Sequence, residues 1–142
     1  MKSELLGAGG RTFAVVFDIG DEFIAGLPSF AKENDLAASH FTAIGSFSDD
    51  RLGYFQLERK EFKPIPINEQ VEVLALVGNI ALYQGEPMIH AHVVVGRSGG
   101  TTPGGHILEA HVRPTLEVTV VESPKHLQRT YNPDIGLALI NL

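Results

Sequence analysis

The alternation of apolar and polar residues predicts β-strands over most of the chain. In the segment 88–95, four apolar residues fall on one face of a strand, because successive side chains point to opposite faces: Ile89, Ala91, Val93 and Val95. Comparable patterns predict strands at 11–18, 38–47, 51–57, 70–82, 106–112 and 115–121, with a further candidate at 136–140. We expect Asp49-Asp50 to end one strand and 51–57 to return beside it as a hairpin. The two prolines in 62–68 indicate a sheet edge or a connection.

One segment shows apolar residues at helical spacing instead. Its stripe is formed by Phe23, Ile24, Leu27, Phe30 and Ala31. Asp21 is a good N-cap for this helix, and Pro28 should kink it or split it into two short pieces. One helix and six to eight strands, joined mostly by hairpins, predict an α+β fold with a mainly antiparallel sheet. The length of 142 residues suits a single compact domain that spans 1–142.

The strand at 70–82 also bears on assembly. Its centre, 73–77, has no polar residue on either face, as expected where both faces are covered. One helix can cover only part of one face of the sheet. We therefore expect the second face to be covered by another copy of the chain, or by the C-terminal segment around Leu137 and Leu139.

Composition and charge narrow the classes of function. The chain has no cysteine, so disulfides, thiolate nucleophiles and cysteine zinc sites are excluded, and a metal would need His, Asp or Glu. The net charge is −6, and the 11 Lys and Arg are scattered, which predicts against direct DNA binding because the phosphate backbone repels an acidic domain. No signal peptide is recognisable, and no apolar run reaches the ~18 residues that span a bilayer. We expect a cytoplasmic protein with no membrane association.

Three histidines suggest a metal site. His90 and His92 share the polar face of the strand 88–96, with Cα atoms ~7 Å apart. A glycine-rich hairpin turn, 96–105, should then bring His106 near the level of His92. Three neutral imidazoles with an open position form the ligand set of a catalytic-type zinc site, although nickel, copper, cobalt and iron also accept nitrogen ligands. The alternative is an ordinary polar strand face without a metal.

Other polar residues have weaker assignments. Glu117 lies on the polar face of its strand, where it is a candidate fourth ligand, a hydrogen-bond partner of an imidazole, or a general base. His40 is expected at a strand start and His126 on the surface. His111 should face away from His106 unless a bulge intervenes. Arg97, in the glycine-rich turn, is a candidate anion contact.

These motifs together resemble a known family. His90-x-His92, Gly104-Gly105-His106 and Thr115-x-Glu117, with the apolar strand 71–78, resemble the signature of the plants and prokaryotes conserved domain over nearly the whole chain. The resemblance implies an α/β fold around an antiparallel sheet, assembly into trimers, and a metal on His90, His92 and His106, with Glu117 less securely placed. Plant members carry an AT-hook before the domain. This sequence has no AT-hook, so that DNA-binding activity does not carry over, and it looks like the stand-alone prokaryotic form.

Two functions follow from this sequence. The first is a metal-binding homotrimer, with a divalent metal such as zinc, that acts on or senses a small molecule. The second is a regulatory or protein-interaction module in which the metal is structural. Structural zinc sites are closed by four protein ligands, whereas catalytic sites keep an exchangeable position. Three assigned histidines favour the first function.

Overall fold

The computed structural model describes residues 1–7, 10–123 and 126–141, with backbone only for 2–7. Within these ranges, nine strands form one sheet, and a single helix, α1 (Phe23–Glu33), packs against it. The strands are β1 (Lys2–Gly7), β2 (Thr12–Phe17), β3 (Ala38–Gln56), β4 (Glu61–Ile67), β5 (Val71–Tyr83), β6 (Glu86–Gly96), β7 (Gly104–Glu122), β8 (Gln128–Asn132) and β9 (Leu137–Asn141). All pairings are antiparallel except the contact of β5 with β8. The predicted α+β class with a mainly antiparallel sheet is confirmed.

The sheet closes on itself through four strands. β3 pairs with both β5 and β7, and β6 pairs with β5 on one side. On its other side, the end of β6 pairs with the start of β7. β3, β5, β6 and β7 therefore form a closed ring with an inner face and an outer face. β2, β4 and the β8–β9 hairpin extend this ring.

The predicted hairpin between 38–47 and 51–57 is wrong, because both segments belong to the single strand β3. Asp49 and Asp50 stay within the strand, where Asp49 accepts a hydrogen bond from His111 and Asp50 is buried. The predicted strands at 106–112 and 115–121 are likewise one strand, β7. β7 continues through Pro114 because the proline lies at a register shift, where no ladder hydrogen bond is required.

The helix differs from its prediction in two details. Its N-cap is Glu22, not Asp21, and the Glu22 carboxylate accepts hydrogen bonds from the N–H groups of Ile24 and Ala25. Asp21 instead accepts a hydrogen bond from the Asp18 N–H and pairs with the N-terminal amino group. Pro28 lies inside one continuous helix and does not split it.

The inner face of the ring and the apolar stripe of α1 form the core. The helix contributes Phe23, Leu27, Phe30 and Ala31, as the spacing predicts. Phe23 contacts the rings of Phe17 and Phe41 edge to face. β4, which contains both prolines, pairs only with β3, as expected for an edge strand. Among the described residues, no helix is both long and apolar enough to cross a membrane.

Candidate metal centre

The histidines of β6 lie on the outer face of the ring. Ala91, Val93 and Val95 point into the core, as the alternation predicts, so His90 and His92 point outward. His106, near the start of β7, pairs in register with His92. The prediction that the glycine-rich turn returns His106 to the level of His92 is therefore confirmed.

Two glycines allow β7 to reach this position. A Cβ atom on Gly104 would lie 2.9 Å from the Val93 carbonyl oxygen, and one on Gly105 would lie 2.8 Å from that of Gly53. Both contacts are too short for a side chain other than hydrogen. Gly104 and Gly105 thus let β7 fit between β6 and β3, and this packing sets the position of the next residue, His106.

The three imidazoles converge on one point. The Nε2 atoms of His90 and His92 are 3.2 Å apart, and one ring nitrogen from each of the three residues lies within 4.8 Å of the others. Two nitrogens bound to one zinc at ~2.0–2.1 Å with tetrahedral angles are ~3.3 Å apart. The His90–His92 separation fits this value. The ring of Phe62 stacks on His106 with centroids 4.6 Å apart, which holds that imidazole in place.

The surroundings favour neutral imidazoles. Partial burial lowers the pKa of His90, and the charges of His92 and Arg129 lower it further. Burial, followed by the charges of His90 and His92, lowers the pKa of His106 to about 4. A metal binds the neutral ring, so at neutral pH these two histidines are already in the ligating form.

A cavity of about 320 Å³ adjoins the imidazoles. We call it the histidine cavity: besides His90, His92, His106 and Arg129, its walls are apolar, with Phe55, Phe62, Ile89, Leu137 and Leu139 as the main side chains. No Asp or Glu of the described residues lines it. Its size and its mixture of apolar walls with a few convergent polar groups are typical of small-molecule sites.

The β8–β9 hairpin closes one side of the cavity and brings in Arg129, which the sequence did not single out. Arg129 is only 7% exposed and donates hydrogen bonds to the side chain of Asn79 and to the Ala138 carbonyl, the latter at 3.2 Å. Asn79 pairs in register with His90, so the guanidinium lies beside the histidines. The segment 132–136, Asn-Pro-Asp-Ile-Gly, is a turn signature that could have revealed this hairpin.

The structure does not bring Glu117 to the histidines. Glu117 is exposed on the outer face, but it pairs with Val16 and Ile44, eleven residues along β7 from His106. β7 reaches the imidazoles only with its first residues, and sequence alternation reports the face of a strand but not the distance along it. Within the described residues, no carboxylate joins the three-histidine group.

The other polar candidates also lie outside the cluster. His40 is near the start of β3, and His126 is exposed, both as predicted. Ile107 and Ala110 are both buried, and the register shifts between them, so a bulge turns His111 to the outer face, where it binds Asp49 at 2.8 Å. Arg97 forms an ion pair with Glu69 at 3.0 Å, which leaves it a poor anion contact.

Comparison with known proteins identifies the family. The model of the plants and prokaryotes conserved domain matches residues 5–124. The chain belongs to this family. Among solved structures, a plant- and prokaryote-conserved protein from Pyrococcus horikoshii is 32% identical, with 99% of this chain and 95% of that chain covered and a TM-score of 0.88.

Two further solved relatives differ in how they are named. A metal-containing protein from Archaeoglobus fulgidus is 30% identical over the full length of both chains, with a TM-score of 0.87. A protein from Bacteroides thetaiotaomicron, provisionally named as DNA-binding, is 28% identical, with 98% of this chain and 96% of that chain covered and a TM-score of 0.90. No curated protein matches the sequence.

Proposed function

We propose that this member of the family binds one divalent metal ion, zinc in the first place, through His90, His92 and His106, and that the site acts on or senses a small molecule. The observation that carries the proposal is the convergence of three imidazoles on one wall of the histidine cavity. The name of the metal-containing relative from Archaeoglobus fulgidus supports it.

The chemistry of the donors fits such an ion. Three neutral nitrogen ligands and no carboxylate among the described residues leave one coordination position to a water or ligand, as in catalytic rather than structural zinc sites. A zinc ion there would supply a Lewis acid that polarises a carbonyl or lowers the pKa of a bound water to ~7. The apolar walls restrict water and leave room for a small organic molecule.

The test is metal analysis of protein purified without a histidine tag. The wild-type chain should carry about one equivalent per chain, and His90→Ala or His92→Ala should lose most of it. His126→Ala is the matched control, because His126 is exposed and outside the cluster. Equal metal content in all three variants would contradict the proposal.

We also propose that the active assembly is a homotrimer. The outer face beside the histidines has exposed apolar side chains on neighbouring strands: Ile44 (61%), Leu74 (53%), Val77 (55%) and Val94 (41%). The β8–β9 hairpin contacts β5 at Asn79 and Leu82, so it does not cover this patch. A contiguous apolar patch of this kind favours burial against another subunit. Light scattering at micromolar concentration should report about three times the 15.4 kDa of one chain.

A further inference from the structure

Arg129 is buried, and the described residues place no opposite charge beside its guanidinium. The residue as a whole is only 7% exposed, and no carboxylate of the described residues lies within ion-pair distance of it. Its hydrogen bonds go to neutral oxygens, those of Asn79 and Ala138, and its Nε finds no acceptor in the described part of the chain. Burying a cation is costly unless a partner compensates, so a buried guanidinium with no carboxylate partner among the described residues needs an explanation.

The position of Arg129 indicates where that partner would come from. Arg129 lines the histidine cavity, and its partner Asn79 lies directly across from His90. The remaining walls are apolar, and no acidic side chain of the described residues faces the space. With or without a divalent ion on the imidazoles, the cavity is therefore cationic, and the described residues bring no negative charge to it.

We propose that the histidine cavity binds a small organic carboxylate, with Arg129 as the residue that holds the carboxylate group and the apolar walls holding the hydrocarbon part. This inference rests on the proposed function for the neighbouring metal, because it names the class of molecule that the site takes. Arg129 is a binding residue in this proposal.

A carboxylate fits the donors better than a phosphate does. A guanidinium offers five N–H donors in one plane and matches a planar carboxylate with paired hydrogen bonds. Phosphate sites usually combine several cations with clusters of backbone N–H groups. Here one guanidinium stands among Phe55, Ile89, Leu137 and Leu139, a lining that suits a short hydrocarbon chain.

Isothermal titration with a matched pair of probes tests the proposal. The probes are 3-methylbutanoate and its uncharged isostere 3-methylbutanamide, titrated into the full-length protein with zinc and after removal of metal by a chelator. The acid should bind at least tenfold more tightly than the amide, also in the metal-free protein. Equal affinity for the two probes, or preference for the amide, would overturn the proposal without any variant.

Variants then assign the effect to one residue. Arg129→Gln should weaken binding of the acid about 10- to 100-fold, the range for a lost hydrogen bond to a charged group, and leave the amide unchanged. Arg129→Lys, which keeps the charge, should retain part of the affinity and serves if the glutamine variant does not fold. Arg59→Gln is the control, since Arg59 is exposed and paired with Glu61. Unchanged affinity of the acid in a folded Arg129→Gln would refute the assignment.

Metal content, measured on the same samples, separates the two proposals. If the protein contains metal but does not bind the acid, only the carboxylate inference is refuted. Acid binding that depends on Arg129 in a protein that never holds metal supports this inference and refutes the metal proposal. Inorganic phosphate is the third probe, and tight binding of phosphate without binding of the acid would overturn the choice of a carboxylate.

Discussion

Replacing Asp50 with Asn should change how the stability of the protein depends on pH. Asp50 lies in the middle of β3, across from Ile67 and Ala110, both fully buried. Asp50 is 4% exposed, and neither of its carboxylate oxygens has a hydrogen-bond partner among the described residues. Burial, with a smaller contribution from the charge of Asp49, raises the pKa of Asp50 to about 6, although Arg97 opposes the shift.

The sign follows from proton binding. An unfolded Asp has a pKa of ~3.9, so between pH ~4 and ~6 the folded protein binds more protons than the unfolded chain. Rising pH therefore favours unfolding across this window. A difference of about two pKa units between the folded and unfolded states corresponds to about 3 kcal/mol of folding stability. The wild-type protein has this stability below pH ~4 and loses it as the pH rises above ~6. Asn does not titrate, so the variant lacks this loss.

Urea denaturation at pH 4, 5, 6, 7 and 8 measures the effect, at one protein concentration because assembly would change the apparent stability. The free energy of unfolding of Asp50→Asn, relative to wild type, should rise by about 2–3 kcal/mol between pH 4 and pH 8. Any constant cost of burying the amide cancels in this comparison. A relative stability that stays constant over the whole range would refute the reasoning.

Asp21→Asn provides a control with the opposite sign. Hydrogen bonding to the N-terminal amino group, then to the Asp18 N–H, lowers the pKa of Asp21. The carboxylate of Asp21 therefore adds stability above the unfolded pKa of ~3.9, and this stability is lost as pH falls through the lower folded value. Asp21→Asn should thus be slightly less stable than wild type at pH 8 and approach it at low pH.

Three further outcomes are expected. Gly105→Ala should destabilise the protein by about 1–3 kcal/mol in urea denaturation and lower its metal content, because the new Cβ would collide with the Gly53 carbonyl. The control is Gly99→Ala, which should change stability by less than ~0.5 kcal/mol because open space surrounds Gly99. Leu74→Asp should reduce the mass measured by light scattering from about three chains to one, whereas an unchanged trimer would exclude this patch as the interface. Gel-shift assays at physiological salt should show only weak, sequence-independent DNA binding, since the chain is acidic and five of its cationic side chains are ion-paired with glutamates. Sub-micromolar, sequence-dependent DNA binding would contradict this prediction.

Local alternation was enough to predict the faces of the strands and the face of the helix. Because Ala91, Val93 and Val95 are buried, the alternating side chains of β6 place the two histidines of this strand on the outer face. A one-residue slip of the strand would bury both His90 and His92. The glycines before His106 could likewise be read locally, because such residues permit close packing of backbones. The convergence of the three histidines therefore follows from short segments of sequence.

The bends and the closure of the sheet could not be predicted from short segments of the sequence. Asp49-Asp50 and Pro114 are ordinary signals for the end of a strand, yet both lie inside strands that continue because neighbouring strands pair on either side. The bulge that turns His111 outward depends on the match between β3 and β7. Arg129 was missed for the same reason, since its role depends on where the β8–β9 hairpin lies against β5.

Closure of the sheet and formation of the site depend on the same few contacts. β6 and β7 meet through only three residue pairs, His92 with His106, Val93 with Gly105, and Val94 with Gly104. Two of the three imidazoles thus stand at the point where the ring closes, and a metal held by them would tie β6 to β7. Because such an ion would bind the folded ring and not the separated strands, its binding energy would add to the stability of the closed sheet. The glycines that let β6 and β7 meet, and the histidines that would bind the ion, would therefore both stabilise the closure of the sheet.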